Sequence, residues 1–314
     1  MTATSHPLPG QNARGILFLM AGVAVFSVQD LILKLLSGAY PLHQAMVLRS
    51  LTALPFLLLL VHLDGGLGRL LTPGTRAMIG RGVVMFLAYT SYYLALAALP
   101  MATTVALYFS APLFITVLSV FFLAERVGPR RWIALLAGFA GVLVMVRPGS
   151  DLFDWAALLP VLSGLTYAIS MIAARRLGTT ESAAALAFWG NAVFLVAALA
   201  MSALLGSGAF AGDAHPSLEF LLRGWVMPTA HDLLLMMACG VIAAAGLTLL
   251  TQAYRIGEAS VVTPLEYTGL LWSVIYGWVF WRDWPTPTDW AGITIIILAG
   301  LYILWRETVT KPAP

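Results

Sequence analysis

Residues 101–123, MATTVALYFSAPLFITVLSVFFL, contain no charged side chain. The run is long enough to cross a bilayer as a helix, which needs roughly 20 mainly apolar residues. Similar runs occur on both sides of it, and together they predict ten spans, at about 14–36, 42–63, 77–99, 101–123, 130–147, 153–174, 182–205, 232–254, 258–281 and 287–305. The runs lack the alternation of apolar and polar residues that is typical of barrel strands. We therefore predict an all-α integral membrane protein with ten transmembrane helices.

The composition supports a membrane protein and limits its partners. Hydrophobic residues make up 60% of the 314 residues and charged residues 10%, an apolar excess that a water-facing surface would not tolerate. The basic residues lie at helix ends and form no stripe, so we predict no nucleic-acid partner. The expected partners are the lipid bilayer and a small-molecule substrate, and we expect a monomer to suffice.

The sequence lacks the common motifs of catalysis and cofactor binding. Cys239 is the only cysteine, so an intramolecular disulfide or a cysteine metal cluster is impossible. The five histidines lie on separate helix ends or loops, and no phosphate-binding glycine loop or hydrolase motif is present. We predict no metal, no cofactor and no enzyme. A membrane-embedded enzyme is the distant alternative, because Asp151 and Asp154 have the spacing of a carboxylate pair.

The distribution of positive charge predicts an orientation, since cytoplasmic loops tend to hold more Lys and Arg. If the N-terminus lies inside, twelve of the 17 Lys and Arg residues fall in cytoplasmic segments and four in outer ones, while Arg49 lies within the second span. We therefore expect a multi-pass protein of a bacterial inner membrane with both termini in the cytoplasm.

The two halves of the chain match each other weakly. At a spacing of 157 residues, ATTV at 102–105 aligns with ASVV at 259–262, and Pro112 aligns with Gly269. Residues 1–148 are expected to form one five-helix repeat and residues 149–314 a second. Because five is odd, the second repeat must be inverted in the membrane, a recurring plan of secondary transporters.

Several stretches carry a family resemblance. The run ALAALPMATTV at 95–105, followed by Pro112, Glu125-Arg126, Trp132 and GFAGV at 138–142, resembles the EamA-type signature of the drug/metabolite transporter superfamily. The stretches FSVQD at 26–30 and PLEYT at 264–268 are similar to one branch of that family. The chain departs from the family at Arg282-Asp283, where the second repeat often has an acidic residue before a basic one.

The resemblance implies two inverted five-helix repeats around a central cavity, with spans 1–4 and 6–9 lining it and spans 5 and 10 peripheral. It also implies a secondary transporter or facilitator that works by alternating access. We expect it to export amino acids, including aromatic or large apolar ones, because aromatic side chains are predicted to line the cavity. The alternative is uptake or exchange of a cofactor-like solute such as S-adenosylmethionine or riboflavin.

Charges deep in the spans are the first candidate functional residues, since they are costly in lipid. Asp30 and Arg49 lie at one depth, six and seven residues from the outer ends of their spans, or roughly 10 Å at 1.5 Å per residue. We predict a structural ion pair between them; contact of Arg49 with a substrate carboxylate is the alternative. Lys34, one turn above Asp30, can join this pair or extend to the outer surface, and we expect the second.

The predicted substrate-binding set combines one acid with aromatic and polar side chains. Glu266 lies eight residues inside the ninth span, where it can pack, bind a cation or ammonium group, or carry a proton. Tyrosines near the middles of their spans need a partner for the hydroxyl, which favours a polar cavity. With two residues from the family-like motif at 26–30, the set is Glu266, Tyr267, Tyr89, Tyr93, Tyr108, Tyr167, Phe26 and Gln29.

Three further residues are candidate hinges within the spans. Pro264 withdraws a backbone donor just before Glu266 and so favours a local break. Pro112 and Gly269 occupy equivalent places in the two halves. For each of the three, simple packing is the alternative to motion.

Overall fold

The computed structural model describes residues 11–123, 128–149, 153–177, 181–212, 215–256 and 263–310. Within those ranges the regular structure is helical. Its α-helices are α1 (Gln11–Leu36), α2 (Leu42–Leu63), α3 (Thr75–Ala98), α4 (Met101–Tyr108), α5 (Ala111–Leu123), α6 (Pro129–Val146), α7 (Leu158–Leu177), α8 (Ala183–Leu205), α9 (Pro216–Leu222), α10 (Ala230–Ile256), α11 (Thr268–Tyr276) and α12 (Pro287–Thr310).

The described helices are those of a membrane protein. Among the described residues, six stretches are long and apolar enough to cross a bilayer: Ala13–Leu36, Leu42–Leu63, Thr75–Ala98, Met101–Phe122, Trp155–Ala174 and Ala183–Leu205. Shorter apolar helices occur at Trp132–Val146, Ala230–Gly246 and Pro287–Ile303. The all-helical membrane class predicted from the sequence is therefore confirmed.

The predicted ninth span, 258–281, is not one continuous helix. Its first residues lie outside the described ranges. The rest consists of a 3₁₀ turn at Thr263–Tyr267, then α11, then a π-helix at Gly277–Trp281. Pro264 belongs to the 3₁₀ turn, and Gly269 is the second residue of α11.

The predicted fourth span is also broken. Its two parts, α4 and α5, are separated by Phe109 and Ser110, and Pro112 is the second residue of α5. Proline is tolerated in the first turn of a helix, where its missing N–H has no intrahelical partner in any case. Gly164 allows α7 to pack closely against this break. A Cβ on Gly164 would lie 3.0 Å from Ser110 Oγ and 3.1 Å from the backbone nitrogen of Ala111.

The helices pack in pairs that join the two halves of the chain. Extensive contacts link α1 with α10, α2 with α8, α3 with α7, and α6 with α12. In the α6–α12 pair, Gly141 and Gly292 bring the backbones together: a Cβ on Gly141 would lie 2.9 Å from Ile295 Cγ2 and 3.1 Å from the Gly292 carbonyl oxygen. Small residues allow this close approach in membranes.

One end of the bundle is covered by the segment between α8 and α10. We call this the capped end; it carries the end of α1 and the start of α2. Arg223 Nη1 donates to the Ser37 carbonyl at 2.9 Å, and Ser217 Oγ donates to the Leu94 carbonyl at 2.8 Å. Gln44 bonds Val226 through both its nitrogen, at 2.8 Å, and its oxygen, at 3.2 Å. These bonds fix the covering segment to the ends of α1, α2 and α3.

Lys34 does not extend past the helix ends to the surface as expected. Its Nζ donates to the carbonyl oxygens of Leu96 at 2.8 Å and Leu99 at 2.6 Å, and it lies 5.1 Å from the centre of the Trp281 ring. These carbonyls lie at the end of α3, where a helix has unsatisfied acceptors and a negative dipole end. Lys34 therefore caps α3.

The glycine contact between α6 and α12 predicts a selective loss of stability. Gly141→Leu should lower the midpoint of thermal unfolding in detergent, since overpacking a close contact costs about 1–3 kcal/mol. Gly80→Leu is the matched control, because a Cβ at Gly80 of α3 meets no atom within 4 Å. Equal midpoints for the two variants would contradict the close packing of α6 on α12.

Candidate functional site

A cavity of about 200 Å³ lies between α1, α3, α4, α7, α10 and α11. Most of the residues predicted from the sequence to bind substrate line it: Phe26, Gln29, Tyr89, Tyr93, Tyr108, Tyr167 and Glu266. The structure adds lining residues outside that predicted set, among them Asp30, Tyr92, Ser163, Gly269 and Ser273. The cavity is thus formed by helices from both halves of the chain.

Aromatic rings form one continuous wall of the cavity. The Tyr89 and Tyr93 rings are stacked with centroids 6.1 Å apart, and Tyr92 meets Tyr93 edge-on at 5.5 Å. Tyr108 then joins the wall through edge contacts with Tyr92 at 5.4 Å and Tyr167 at 5.7 Å. Such offset and edge geometries are those that aromatic pairs prefer. The wall offers flat apolar faces together with phenol hydroxyls.

A buried amide links three helices beside this wall. Gln29 of α1 is 1% exposed; its Nε2 donates to the Tyr93 hydroxyl at 2.7 Å, and its Oε1 accepts from Arg49 Nε at 3.2 Å. Arg49 also lies over the Tyr89 and Phe194 rings, 5.9 and 5.6 Å from their centres. Because an amide both donates and accepts, Gln29 satisfies a phenol and a guanidinium at once.

The predicted direct ion pair is not the arrangement found. Asp30 accepts a hydrogen bond from the Tyr92 hydroxyl at 2.9 Å, and Arg49 bonds Gln29. Among the described side chains, Asp30 and Arg49 form no contact within salt-bridge distance. The two charged groups have different neutral partners: the Gln29 oxygen accepts from Arg49 Nε, and the Tyr92 hydroxyl donates to Asp30.

Glu266 lines the same cavity as Asp30. It lies in the 3₁₀ turn Thr263–Tyr267, is partly exposed, and is close enough to Tyr108 and Tyr167 to interact with them electrostatically. The cavity therefore has two carboxylates among tyrosine hydroxyls. Such a surface can accept hydrogen bonds from hydroxyl, amine or ammonium groups.

Tyr267 does not join the cavity wall in this structure. Its ring packs on Phe109 with centroids 4.8 Å apart, and a Cβ on Gly300 would overlap its hydroxyl. The hydroxyl is buried and has no hydrogen-bond partner among the described residues. Of the predicted hinges, Gly269 lines the cavity and Pro112 follows the break in α4–α5, whereas the Pro264 side chain lies outside the described part of the chain.

A second, smaller compartment of about 130 Å³ shares Phe26 and Tyr89 with the cavity. Two arginines line it, Arg49 and Arg81, together with Asn191. Arg81 is one of the twelve basic residues counted as cytoplasmic from the sequence, and no motif singles out Asn191. The available signal was position, since α3 begins at Thr75 and so places Arg81 nearly two turns inside the helix.

The Gln29 bridge predicts a stability difference between two substitutions. Gln29→Leu removes the acceptor of Arg49 and the donor to Tyr93, and should cost about 1–3 kcal/mol because buried polar groups lose their partners. Gln29→Glu keeps the acceptor, and Tyr93 can donate to it, so its unfolding midpoint in detergent should be closer to that of the wild type. A Glu variant as unstable as the Leu variant would argue against the bridge.

Comparisons with known proteins identify the family of the chain. The family model for EamA-like transporters matches residues 13–147 and, a second time, residues 154–305. A riboflavin transporter of Rhizobium johnstonii is 30% identical, over 98% of this chain and 96% of its own length. An S-adenosylmethionine uptake transporter of Rickettsia prowazekii is 25% identical, over 93% of both chains.

Two further similarities extend this picture. A pseudopaline exporter of Pseudomonas aeruginosa is 26% identical, over 91% of this chain and 94% of its own. One solved crystal structure has a TM-score of 0.62 at 18% identity and covers 96% of this chain and 100% of the other, which shows the fold alone. The named relatives are transporters of small molecules, which removes the enzyme alternative. The chain belongs to the EamA-like transporter family, within the drug/metabolite transporter superfamily.

Proposed function

We propose that this protein is a secondary transporter for a small metabolite with a flat aromatic ring, and that riboflavin is the first candidate. The observation that carries the proposal is the tyrosine wall of the cavity formed by Tyr89, Tyr92, Tyr93, Tyr108 and Tyr167. Ring stacking on an aromatic side chain contributes about 1–3 kcal/mol for a nucleic-acid base. A flavin ring has the same kind of flat face.

The polar groups of the cavity suit the rest of such a molecule. Asp30 and Glu266 line it together with Ser163 and Ser273. The ribityl chain of riboflavin carries several hydroxyl groups, which can donate to carboxylates and exchange bonds with serines. Similarity to the riboflavin transporter of Rhizobium johnstonii, along nearly the whole of both chains, supports the same choice.

One other solute follows from a specific observation. The carboxylates of Asp30 and Glu266 would also suit a cationic solute with an aromatic ring, such as S-adenosylmethionine, which one relative carries. Export of amino acids, including aromatic or large apolar ones, is the first expectation from the sequence and now ranks below both of these solutes. The relatives described above are named for riboflavin, S-adenosylmethionine and pseudopaline, and they do not favour amino acids in particular.

The proposed architecture is ten transmembrane helices in two inverted repeats, residues 1–148 and 149–314, with both termini in the cytoplasm of a bacterial cell. The double match of the family model supports the repeats. The helix pairs α1–α10 and α3–α7 support the repeats too. In the proposed repeats α1 is equivalent to α7 and α3 to α10, so the two pairs are equivalent contacts. Charge on the loops supports the orientation in the inner membrane.

Alternating access requires parts that can move, and the two broken spans are suited to this. The first break lies at Phe109–Ser110 and is followed by Pro112. The second is the succession of 3₁₀ turn, α-helix and π-helix around Gly269. The two breaks occupy equivalent places in the proposed repeats. Discontinuous helices at the binding site are a recurring feature of secondary transporters. We propose Pro112, Pro264 and Gly269 as their hinges.

A proteoliposome uptake assay tests the proposed cargo. Labelled riboflavin, S-adenosylmethionine and tryptophan are offered separately, with empty vesicles as the blank. We expect riboflavin flux above the blank, and an apparent affinity about tenfold weaker for Tyr89→Ala, because losing one stacking face costs on the order of 1.4 kcal/mol. The matched control is Phe121→Ala, since Phe121 is 72% exposed on the outside of the bundle.

The same assay distinguishes the alternatives. Flux of S-adenosylmethionine or tryptophan without riboflavin flux would replace riboflavin with that solute. The proposed cavity would be rejected if transport of a solute were weakened as much by Phe121→Ala as by Tyr89→Ala.

A further inference from the structure

The arginine compartment, defined by Arg49, Arg81 and Asn191, lies between α2, α3, α8 and α10. It is separate from the tyrosine cavity but adjoins it, because Phe26 and Tyr89 line both spaces. A molecule held against Tyr89 in the cavity would therefore have one end next to the two guanidinium groups.

Among the residues that the structure describes, both guanidinium groups bond only neutral oxygens. Arg49 Nε donates to the amide oxygen of Gln29 at 3.2 Å, and Arg81 Nε donates to the Ser170 carbonyl at 3.3 Å. Within the described ranges, neither arginine lies within 4 Å of a carboxylate oxygen, and no acidic residue lines the compartment. A guanidinium has five N–H donors, so these bonds leave most of them for another acceptor.

Two positive charges inside the bundle are costly without compensation. Arg49 is 7% exposed and lies within α2, and Arg81 is partly buried within α3. Charges inside a membrane protein pair with one another or mark the path of a substrate or ion. The free-energy cost of removing a charge from water is offset only by a well-placed counter-charge or by hydrogen bonds. An anionic group in the compartment would supply both.

We propose that the arginine compartment binds the anionic group, a carboxylate or a phosphate, of a solute whose ring lies against Tyr89. The planar guanidinium fork matches both kinds of oxyanion with two parallel hydrogen bonds. Arg49 is held over the Tyr89 and Phe194 rings and by Gln29, so its position is fixed before a ligand arrives. This proposal rests on the proposed function in one respect only, the placement of the solute's ring against Tyr89.

Charge is thereby divided between the two spaces. Asp30 and Glu266 line the tyrosine cavity, and Arg49 and Arg81 line the compartment on the other side of Tyr89. A solute with a cationic or hydroxyl-rich part and an anionic part would bind in one orientation only. The ring would lie between the two charged parts.

The first experiment uses inorganic phosphate and needs no knowledge of the cargo. Thermal unfolding of the purified protein in detergent is measured in millimolar sodium phosphate and in sodium chloride of equal ionic strength. We expect phosphate to raise the midpoint by about 2 °C, because a ligand that binds only the folded state stabilises it. The rise should be absent in Arg81→Gln and present in Arg69→Gln, which changes an exposed arginine outside the compartment.

The second experiment compares riboflavin with flavin mononucleotide, which differs by one phosphate group, through the quenching of flavin fluorescence. Flavin mononucleotide should bind about tenfold more tightly than riboflavin to the wild type, a difference of about 1.4 kcal/mol. Arg81→Gln should abolish this advantage, so that the variant binds the two flavins with equal affinity. Arg81→Lys keeps the charge without the fork, and so should retain part of the advantage.

The outcomes separate the two proposals. A phosphate effect that depends on Arg81, without binding of either flavin, supports the anion site and rejects flavins as cargo. Equal affinity for the two flavins, together with no phosphate effect, rejects the anion site and leaves the proposed cargo standing. A phosphate effect that persists in Arg81→Gln would also reject the site.

Discussion

The Gln29 amide is the interaction on which the rest of the site depends. It joins Arg49 of α2 to Tyr93 of α3 from its position on α1, at 3.2 and 2.7 Å. In a bundle surrounded by lipid, a buried guanidinium has no water to compensate it and must be bonded within the protein. Because the amide satisfies a donor on one helix and an oxygen on another, it sets the relative positions of three helices. Arg49 is then left facing a compartment lined by no acid among the described residues, and Asp30 is left for the cavity.

From this bond follows the division of the interior into two spaces of opposite charge. Tyr89 and Phe26 lie between them, and the Tyr89 ring stacks on Tyr93 at 6.1 Å while Arg49 lies 5.9 Å from its centre. One ring therefore contacts both the aromatic wall and the nearest cation. The two broken spans border the same cavity, and the capped end is held by bonds from Arg223, Ser217 and Gln44. Polar contacts hold the capped end together, whereas the helices at the cavity are interrupted. This arrangement fits a transporter whose helices move around the binding site.

The sequence predicted the helices more fully than the contacts between them. The length of the apolar runs is visible in the sequence, so the membrane class could be predicted from it. Most of the cavity-lining tyrosines could be predicted too, because they lie near the middles of those runs. The hydrogen-bond partner of Asp30 could not be predicted, because the position of a residue along a helix fixes its depth in the membrane but not the direction in which its side chain points. Lys34 shows the same limit, since its partners are the carbonyls of Leu96 and Leu99 on another helix. Arg81 was counted with the cytoplasmic charges because a basic residue near a predicted span end has the pattern of a loop residue.

The central claim is that the tyrosine cavity is the path of the solute, and cysteine accessibility tests it most directly. Cys239 is the only cysteine and is buried, so Cys239→Ala gives a background without thiols. In that background, Ser163→Cys places a thiol in the cavity wall, and Ser217→Cys places one, equally buried, at the capped end. The account predicts that a small hydrophilic thiol reagent modifies the first in membranes, and that the transported solute slows this reaction. No modification at position 163, or modification that the transported solute leaves unchanged, would contradict it.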